Sequence, residues 1–94
     1  MTDATGETTY MVIEHYKNAA AVYERFRVSG RMLPPGVLFV DSWVGASLVT
    51  CFQVMRAQSR SQLDEWMAKW SDLVDFEVHE VISSDEATGR FASM

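Results

Sequence analysis

Residues 37–56 read VLFVDSWVGASLVTCFQVMR, and they decide the fold because two strand-like runs lie on either side of a very short link. Val37–Val44 and Leu48–Arg56 are rich in β-branched and aromatic residues, which favour extended structure. The link Gly45-Ala46-Ser47 is short enough to predict a β-hairpin. A hairpin here makes the two runs neighbours in an antiparallel sheet.

Side chains along each predicted strand alternate between the two faces of the sheet. The short link predicts a register in which Trp43 faces Thr50 and Asp41 faces Phe52. Strict alternation divides the apolar side chains of the first run into two sets, with Val37, Phe39 and Trp43 on one face and Leu38, Val40 and Val44 on the other.

A strand and a helix precede the hairpin. Tyr10–Tyr16, YMVIEHY, has the β-branched and aromatic content of a strand. Asn18 is a good N-cap for a helix that runs to about Ser29, and Gly30 is its predicted left-handed end.

A second helix and a last strand follow the hairpin. Ser61 and Asp64 have the spacing of a capping box, which predicts the start of that helix, and Phe76–Ile82 is the last strand. With right-handed crossovers, this order predicts an α+β, ferredoxin-like βαββαβ fold. Its four-stranded antiparallel sheet has the order 4-1-3-2, and two helices cover one face. We expect one domain over residues 10–82, between a flexible N-terminal tail (1–9) and a C-terminal tail (83–94).

Both faces of the first three predicted strands are largely apolar, whereas a sheet with one wet face alternates apolar and polar residues. Two helices cover only one face. Leaving half a dozen large side chains of the other face in water would forgo roughly 10 kcal/mol, at about 1.5–3 kcal/mol each. We therefore predict a homodimer through the uncovered sheet faces, a dimeric α/β barrel. The alternative is a partly exposed apolar sheet, which small domains tolerate only in patches.

Composition and charge limit the partners. The 94 residues carry 13 acidic and 8 basic side chains, for a net charge of −5. No Lys/Arg cluster alternates with aromatic residues, so we predict no nucleic-acid partner and no membrane association. Cys51 is the single cysteine, and the chain shows neither a signal-peptide pattern nor an apolar run of roughly 20 residues, which predicts a cytoplasmic protein.

Polar residues within otherwise apolar strands need hydrogen-bond partners or a cavity. Asp41 and Gln53 are such residues. One interpretation is that they bond to the backbone or across a subunit interface. The other is a ligand pocket between sheet and helices, for which the candidate binding residues are Trp43, Trp66 and Trp70 as apolar walls and Gln53 and Glu14 as polar anchors.

No motif in the sequence dictates a reaction. His15 suits a general base because an imidazole exchanges protons near neutral pH, and Asp41 is the other candidate proton acceptor. Cys51 has apolar neighbours and is predicted to be a packed thiol rather than a nucleophile. Antiparallel pairing of the first and last strands of the chain by their centres places His15 near Phe76 rather than His79. We therefore predict no metal site, and no cofactor is implied.

A family resemblance rests on five segments, MVIEHYKN, VYERFRVSGRMLPPG, DSWV, CFQVM and LDEWMAKWSDLVDFEVHEVISSDEA. They run from about Met11 to Ala87. In these segments the chain resembles a small bacterial domain-of-unknown-function family of the dimeric α/β-barrel, ferredoxin-like superfamily. The resemblance implies the fold and the dimer but no activity. The superfamily includes cofactor-free monooxygenases, muconolactone isomerases and haem enzymes, and no catalytic residue is carried over from them.

Three function classes remain open. The first is a binding protein for a small apolar or aromatic metabolite, and the second is a cofactor-independent enzyme of the monooxygenase or isomerase type. The third is a non-catalytic interaction module. An enclosed cavity lined by Trp43, Gln53 and a tryptophan of the second helix favours the first two classes. His15 or Asp41 pointing into that cavity favours the enzyme, and a filled core favours the module.

Overall fold

The structure, a computed structural model, describes residues 7–94. The strands are β1 (Thr8–Tyr16), β2 (Val37–Val44), β3 (Thr50–Ala57) and β4 (Val74–Val81), and the helices are α1 (Ala19–Ser29), α2 (Arg60–Ala68) and α3 (Ser84–Ala92). Of the tail predicted over residues 1–9, residues 1–6 lie outside the described residues, and Thr8 and Thr9 belong to β1. The predicted C-terminal tail contains α3, a helix of 9 residues.

The strands form one antiparallel sheet of order β2-β3-β1-β4. This is the predicted order 4-1-3-2 read from the other edge, so the α+β class and the strand order are confirmed. The core lies between this sheet and the first two helices. It joins Val12 of β1 and Met55 of β3 to Val22 of α1 and to Leu63 and Trp66 of α2.

Helix α1 begins and ends where the sequence predicts. The Oδ1 atom of Asn18 accepts a hydrogen bond from the backbone N–H of Ala21 at 3.1 Å, which satisfies one of the free donors at a helix start. Gly30 ends the helix at φ 65°, in the left-handed region that glycine adopts without strain. With 11 residues, α1 is the longest helix of the described chain, and none of its helices has the length and apolarity to cross a bilayer.

The predicted start of α2 is wrong by two residues. Ser59 is the N-cap, and its Oγ accepts the backbone N–H of Gln62 at 3.3 Å, while Gln62 Oε1 accepts the backbone N–H of Ser59 at 3.2 Å. This reciprocal pair is the capping box, because glutamine at the third helical position serves as well as an acidic residue. Asp64 instead pairs with Arg60, whose Nε lies 2.9 Å from Asp64 Oδ1.

The hairpin connection is longer than predicted. β3 begins at Thr50, so residues 45–49 form the loop. The additional loop residues shift the pairing, and the predicted register is wrong by two residues. The observed partners are Phe52 for Trp43 and Val54 for Asp41.

A β-bulge in β2 changes which side chains face the helices. The pairing with β3 shifts between Phe39 and Asp41, so Val40 is an extra residue in the strand. An extra residue reverses the alternation of faces beyond it, and the strict alternation predicted for β2 is therefore wrong. The helix-facing residues are Val37, Phe39, Ser42 and Val44, and those of the opposite face are Leu38, Asp41 and Trp43.

The sheet face that points away from α1 and α2 is called the open face below. Its β4 side is polar, with Asp75, Glu77 and His79. The rest is apolar, with the exposed side chains Leu38, Trp43 and Phe52 and the half-buried Met11, Ile13 and Val54.

Candidate ligand-binding site

A cavity of about 90 Å³ lies between the helix-facing side of the sheet, α1, α2 and the segment that follows α1. It is small compared with typical ligand pockets of about 300–1,000 Å³. Its lining residues are Glu14, Tyr16, Val22, Phe26, Arg31, Ser42, Val44, Cys51, Gln53, Trp66 and Trp70.

Helix α1 is fixed beside the cavity by an ion pair. Both Nη atoms of Arg25 donate to the two carboxylate oxygens of Asp72, each at 2.7 Å, and Nη1 also reaches the carbonyl oxygen of Lys69 at 3.1 Å. A bidentate arginine–carboxylate pair fixes direction as well as distance. It holds the α1 residues Val22 and Phe26 in the cavity wall next to the end of α2.

Four of the five predicted binding residues line this cavity, namely Glu14, Gln53, Trp66 and Trp70. Trp43 does not. It lies on the open face with 56% of its surface exposed, because the bulge at Val40 turns it away from the helices. Ser42 and Val44 of the same strand take its place in the lining.

Glu14 and Gln53 are buried polar side chains, with exposed fractions of 8% and 4%. Gln53 Nε2 donates to Glu14 Oε2 at 2.9 Å. Burial disfavours a charged carboxylate and raises the pKa of Glu14 to about 7, although the Gln53 hydrogen bond, the positive charge of Arg31 and a hydrogen bond with the Cys51 thiol all lower it. Glu14 therefore changes its protonation state near neutral pH.

Arg31 is a cavity residue that the sequence analysis missed. Its guanidinium carbon lies 3.6 Å from the centre of the Phe39 ring and 5.0 Å from that of Phe26, and its Nε donates to Gln53 Oε1 at 3.2 Å. Gln53 thus connects Arg31 to Glu14 through its two amide atoms. The cavity lining therefore contains a row of three hydrogen-bonded groups, which are the Arg31 cation, the Gln53 amide and the titratable Glu14 carboxyl.

The segment that carries Arg31 is fixed by Trp66 of α2 and by Trp70, which lies two residues beyond the end of that helix. Trp66 Nε1 and Trp70 Nε1 donate to the backbone oxygen of Arg31, at 2.9 and 3.1 Å. Met32, the next residue, is held at φ 59°, a conformation that costs a non-glycine residue about 1 kcal/mol or more. The spacing of Trp66 and Trp70 was the available signal, because two buried indole N–H groups one helical turn apart need an acceptor.

His15 and Asp41, the two candidate proton acceptors, do not face the cavity. His15 Nε2 lies 3.3 Å from Glu77 Oε1 on the exposed β4 side of the open face. Asp41 Oδ1 accepts the backbone N–H of its neighbour Ser42 at 2.8 Å. Within the cavity, Glu14 is the carboxyl group that can exchange a proton near neutral pH.

Cys51 and Tyr16 form the end of the cavity beyond Glu14. Burial, with the nearby Glu14 carboxyl, raises the pKa of the Cys51 thiol to about 11 and also raises the pKa of Tyr16. The thiol is therefore protonated at neutral pH, and a thiol is a much weaker nucleophile than a thiolate. These two groups can donate hydrogen bonds to a bound molecule but are not prepared for covalent chemistry.

Comparison with known families assigns the chain. It matches the family described as Domain of unknown function (DUF3303) over residues 8–94, from β1 to the C-terminus. The chain belongs to this family. No curated protein and no solved structure matches the chain.

The DUF3303 domain has a second, wider cleft of about 640 Å³ where α3 meets the ends of β1, β3 and β4. Its charged side chains already lie close to each other, with Arg56 Nε 3.6 Å from Glu7 Oε1 and Arg90 Nη2 2.6 Å from Glu86 Oε2. The smaller cavity is the better candidate site because two buried polar side chains, Glu14 and Gln53, lie in its lining beside empty space. Within residues 7–94 of the DUF3303 domain, no group of three or more His, Cys, Asp or Glu side chains is arranged to hold a metal ion.

Proposed function

We propose that this protein binds a small apolar or aromatic metabolite in the cavity between its sheet and its helices. The observation that supports this is the presence of Glu14 and Gln53, both almost fully buried, in the lining of a cavity instead of a filled core. A buried amide and carboxyl reduce stability relative to apolar side chains of similar size. Such groups are typical of the few polar anchors that orient a ligand in an otherwise apolar pocket.

The apolar part of the ligand would contact the tryptophans and the α1 side of the cavity. Val22, Phe26 and Val44 complete that wall beside Trp66 and Trp70. Phe26 and Val44 are 41% and 40% exposed, so they form the rim of the cavity. A ligand larger than the cavity would therefore extend into solvent between these two side chains.

We further propose that the protein acts as a homodimer through its open faces. Leu38, Trp43 and Phe52 are large apolar side chains exposed on one sheet surface, and their burial would contribute about 1.5–3 kcal/mol each. The resemblance to the dimeric α/β-barrel superfamily supports the same arrangement and the expectation of a bacterial protein, and the single cysteine supports the expectation of a cytoplasmic one. In this arrangement the ligand cavities stay on the outer, helix-covered sides of the two sheets.

The binding proposal is tested with a variant that fills the cavity. Ser42→Leu places a larger side chain into the lining, and Val54→Leu, on the opposite face of the neighbouring strand, is the matched control. Trp43→Phe in both removes the tryptophan outside the cavity, so fluorescence reports Trp66 and Trp70. We expect saturable fluorescence changes with cyclohexanol or benzyl alcohol in the control and none in Ser42→Leu. Equal titration curves for the two variants, or no saturable change with either probe, would contradict the proposal.

A second candidate function is a cofactor-independent isomerase, in which Glu14 takes the role that the sequence assigns to His15 or Asp41. The supporting observation is its pKa of about 7, which suits a group that both accepts and returns a proton at neutral pH. Arg31 would stabilise the negative charge that develops on the substrate when a C–H proton moves to Glu14. Uptake of deuterium from D₂O at such a carbon distinguishes this function from binding alone.

A further inference from the structure

We propose that the ligand is a small carboxylic acid with an apolar body, bound as the anion by Arg31 and accompanied by a proton on Glu14. This inference rests on the proposed function and names the chemical class of its ligand.

Arg31 differs from the other arginines of the chain. Within the described residues 7–94 it has no carboxylate oxygen within 4.0 Å, although the chain carries a net charge of −5. The side chains with an acidic partner within that distance are Arg25, Arg27, Arg56, Arg60 and Arg90. A half-buried guanidinium with no carboxylate in direct contact is an attractive site for an anion.

The guanidinium is already oriented for a planar anion. It stacks on Phe39 and approaches Phe26, and only its Nε donates a hydrogen bond within the described part of the chain, to Gln53 Oε1. The two Nη atoms are the pair that a carboxylate engages side by side. Because the indoles of Trp66 and Trp70 fix the backbone of Arg31, little conformational freedom is lost when a ligand binds.

The size of the cavity fits the acid group better than a whole metabolite. About 90 Å³ admits a carboxylate and a short apolar stem. The Arg31 side chain and the rim residues Phe26 and Val44 belong to the same lining, so an apolar body can remain in contact with the rim.

The negative charge of the ligand would raise the cost of ionising Glu14. Gln53 connects both groups, so a bound carboxylate lies near the Glu14 carboxyl. If Glu14 takes a proton from solvent when the ligand binds, the site does not hold two negative charges side by side. The titratable or charged groups that face Glu14 are Tyr16 on its own strand, Cys51 on β3 and Arg31. The other neighbouring elements, which are α1, α2 with the turn after it, β2 and β4, contribute Val22, Phe26, Trp66, Trp70, Ser42, Val44 and Phe76.

The experiment compares benzoate with benzyl alcohol, which has the same ring but no charge. Calorimetric titrations are made between about pH 6 and about pH 8.5, where benzoate is ionised throughout. At the low end of this pH range, we expect benzoate to bind at least about tenfold more tightly than benzyl alcohol. Its affinity should fall by about tenfold per pH unit above neutrality, with uptake of about one proton per benzoate measured in buffers of different ionisation enthalpy.

Two variants test separately whether Arg31 binds the carboxylate and whether Glu14 takes up the proton. Arg31→Gln should weaken benzoate by about tenfold or more and leave benzyl alcohol unchanged. The matched control Arg27→Gln removes an exposed arginine that pairs with Glu24 on α1 and should change neither. Glu14→Gln should bind benzoate with no pH dependence and no proton uptake. If Arg31→Gln does not fold, Arg31→Lys keeps the charge but loses the planar fork, and we expect several-fold weaker benzoate binding.

Equal affinities of benzoate and benzyl alcohol, or benzoate binding that is unchanged in the Arg31 variant, would overturn the carboxylate inference and leave the proposed function intact. Benzoate binding without proton uptake would likewise overturn the role given to Glu14. Failure of the unmodified protein to bind either probe would overturn the proposed function itself, and the inference with it.

Discussion

A carboxyl group in a protein interior must be neutral or well hydrogen-bonded, because an isolated charge is costly in a medium of low polarity. Glu14 meets this requirement by its raised pKa and by one hydrogen bond from Gln53. It keeps its proton when folded at pH values where the unfolded chain has already lost it. The free energy of unfolding therefore depends on pH in part through this side chain.

The Glu14→Gln variant measures this dependence. The folded pKa of about 7 lies above the ordinary glutamate value of 4.5, so the contribution of Glu14 to stability is present below about pH 4.5 and is lost as the pH rises through 7. The total contribution of Glu14 to the free energy of unfolding is about 3 kcal/mol. We expect the variant to gain up to this amount relative to the unmodified protein between about pH 4.5 and about pH 8, as measured by urea denaturation at fixed protein concentration.

An exposed carboxyl group provides the control for that series. Glu65→Gln, on the solvent side of α2, removes an exposed carboxyl group and should not show the gain in stability predicted for Glu14→Gln. A Glu14→Gln series that runs parallel to the Glu65→Gln series would show that Glu14 is ionised in the folded protein across this range.

The sequence predicted part of the cavity lining at the level of single residues. Glu14 and Gln53 share a face because both lie in regular strands. Trp66 and Trp70 share a side because the chain still turns after the end of α2, where the Trp70 N–H donates to the Met67 carbonyl. Arg31 was missed because it lies in the segment between α1 and β2, where no helical or strand periodicity predicts the direction of a side chain. That these side chains bind a ligand remains a prediction.

At the level of elements, α2 and the turn that follows it position the site, because they carry the two tryptophans that hold the backbone of Arg31. The start of α2 at Ser59 rather than Ser61 could not be chosen from residue types alone, since serine occupies both positions and each has a polar residue three positions later. The geometry selects Ser59 because the reciprocal bonds with Gln62 are both made.

Two alanine substitutions test whether Ser59 or Ser61 is the N-cap of α2. Ser59→Ala removes the side-chain acceptor of the capping box and should lower the free energy of unfolding by about 1 kcal/mol. Ser61→Ala lies within the first turn of the helix, where alanine is at least as favourable as serine, and should change stability by no more than about 0.5 kcal/mol. Urea denaturation of both variants provides the values, and a larger loss for Ser61→Ala would contradict the observed start of α2.

The bulge in β2 shows why face assignments in a strand are less predictable than the strand itself. The composition of Val37–Val44 predicts extended structure whether or not one residue is extra. One extra residue nevertheless moves Trp43 from the helix side to the open face. Trp43 then joins the apolar surface of the open face and leaves the ligand cavity.

At the level of the whole molecule, the sheet order was predictable because few connections between these elements are possible. Short connections and right-handed crossovers leave one order for the observed series of strands and helices, and that order is found. The open face follows from the same topology, because the first two helices both pack on the other side. Its apolar side chains remain exposed in a single chain.

Substitution on the open face should separate the proposed dimer into monomers. Trp43→Asp places a charge within the apolar part of this face and should weaken self-association by at least about a hundredfold. Val28→Asp is the control, because Val28 is exposed on α1, on the helix side of the molecule. Sedimentation velocity over a range of concentrations should show a loss of association in the first variant alone.

The most direct measurement is the mass of the unmodified protein in solution, determined by light scattering at high and low concentration. Pairing of open faces requires a particle of twice the 10.6 kDa mass of one chain. A stable particle of 10.6 kDa that does not aggregate at high concentration would show that this sheet surface needs no partner.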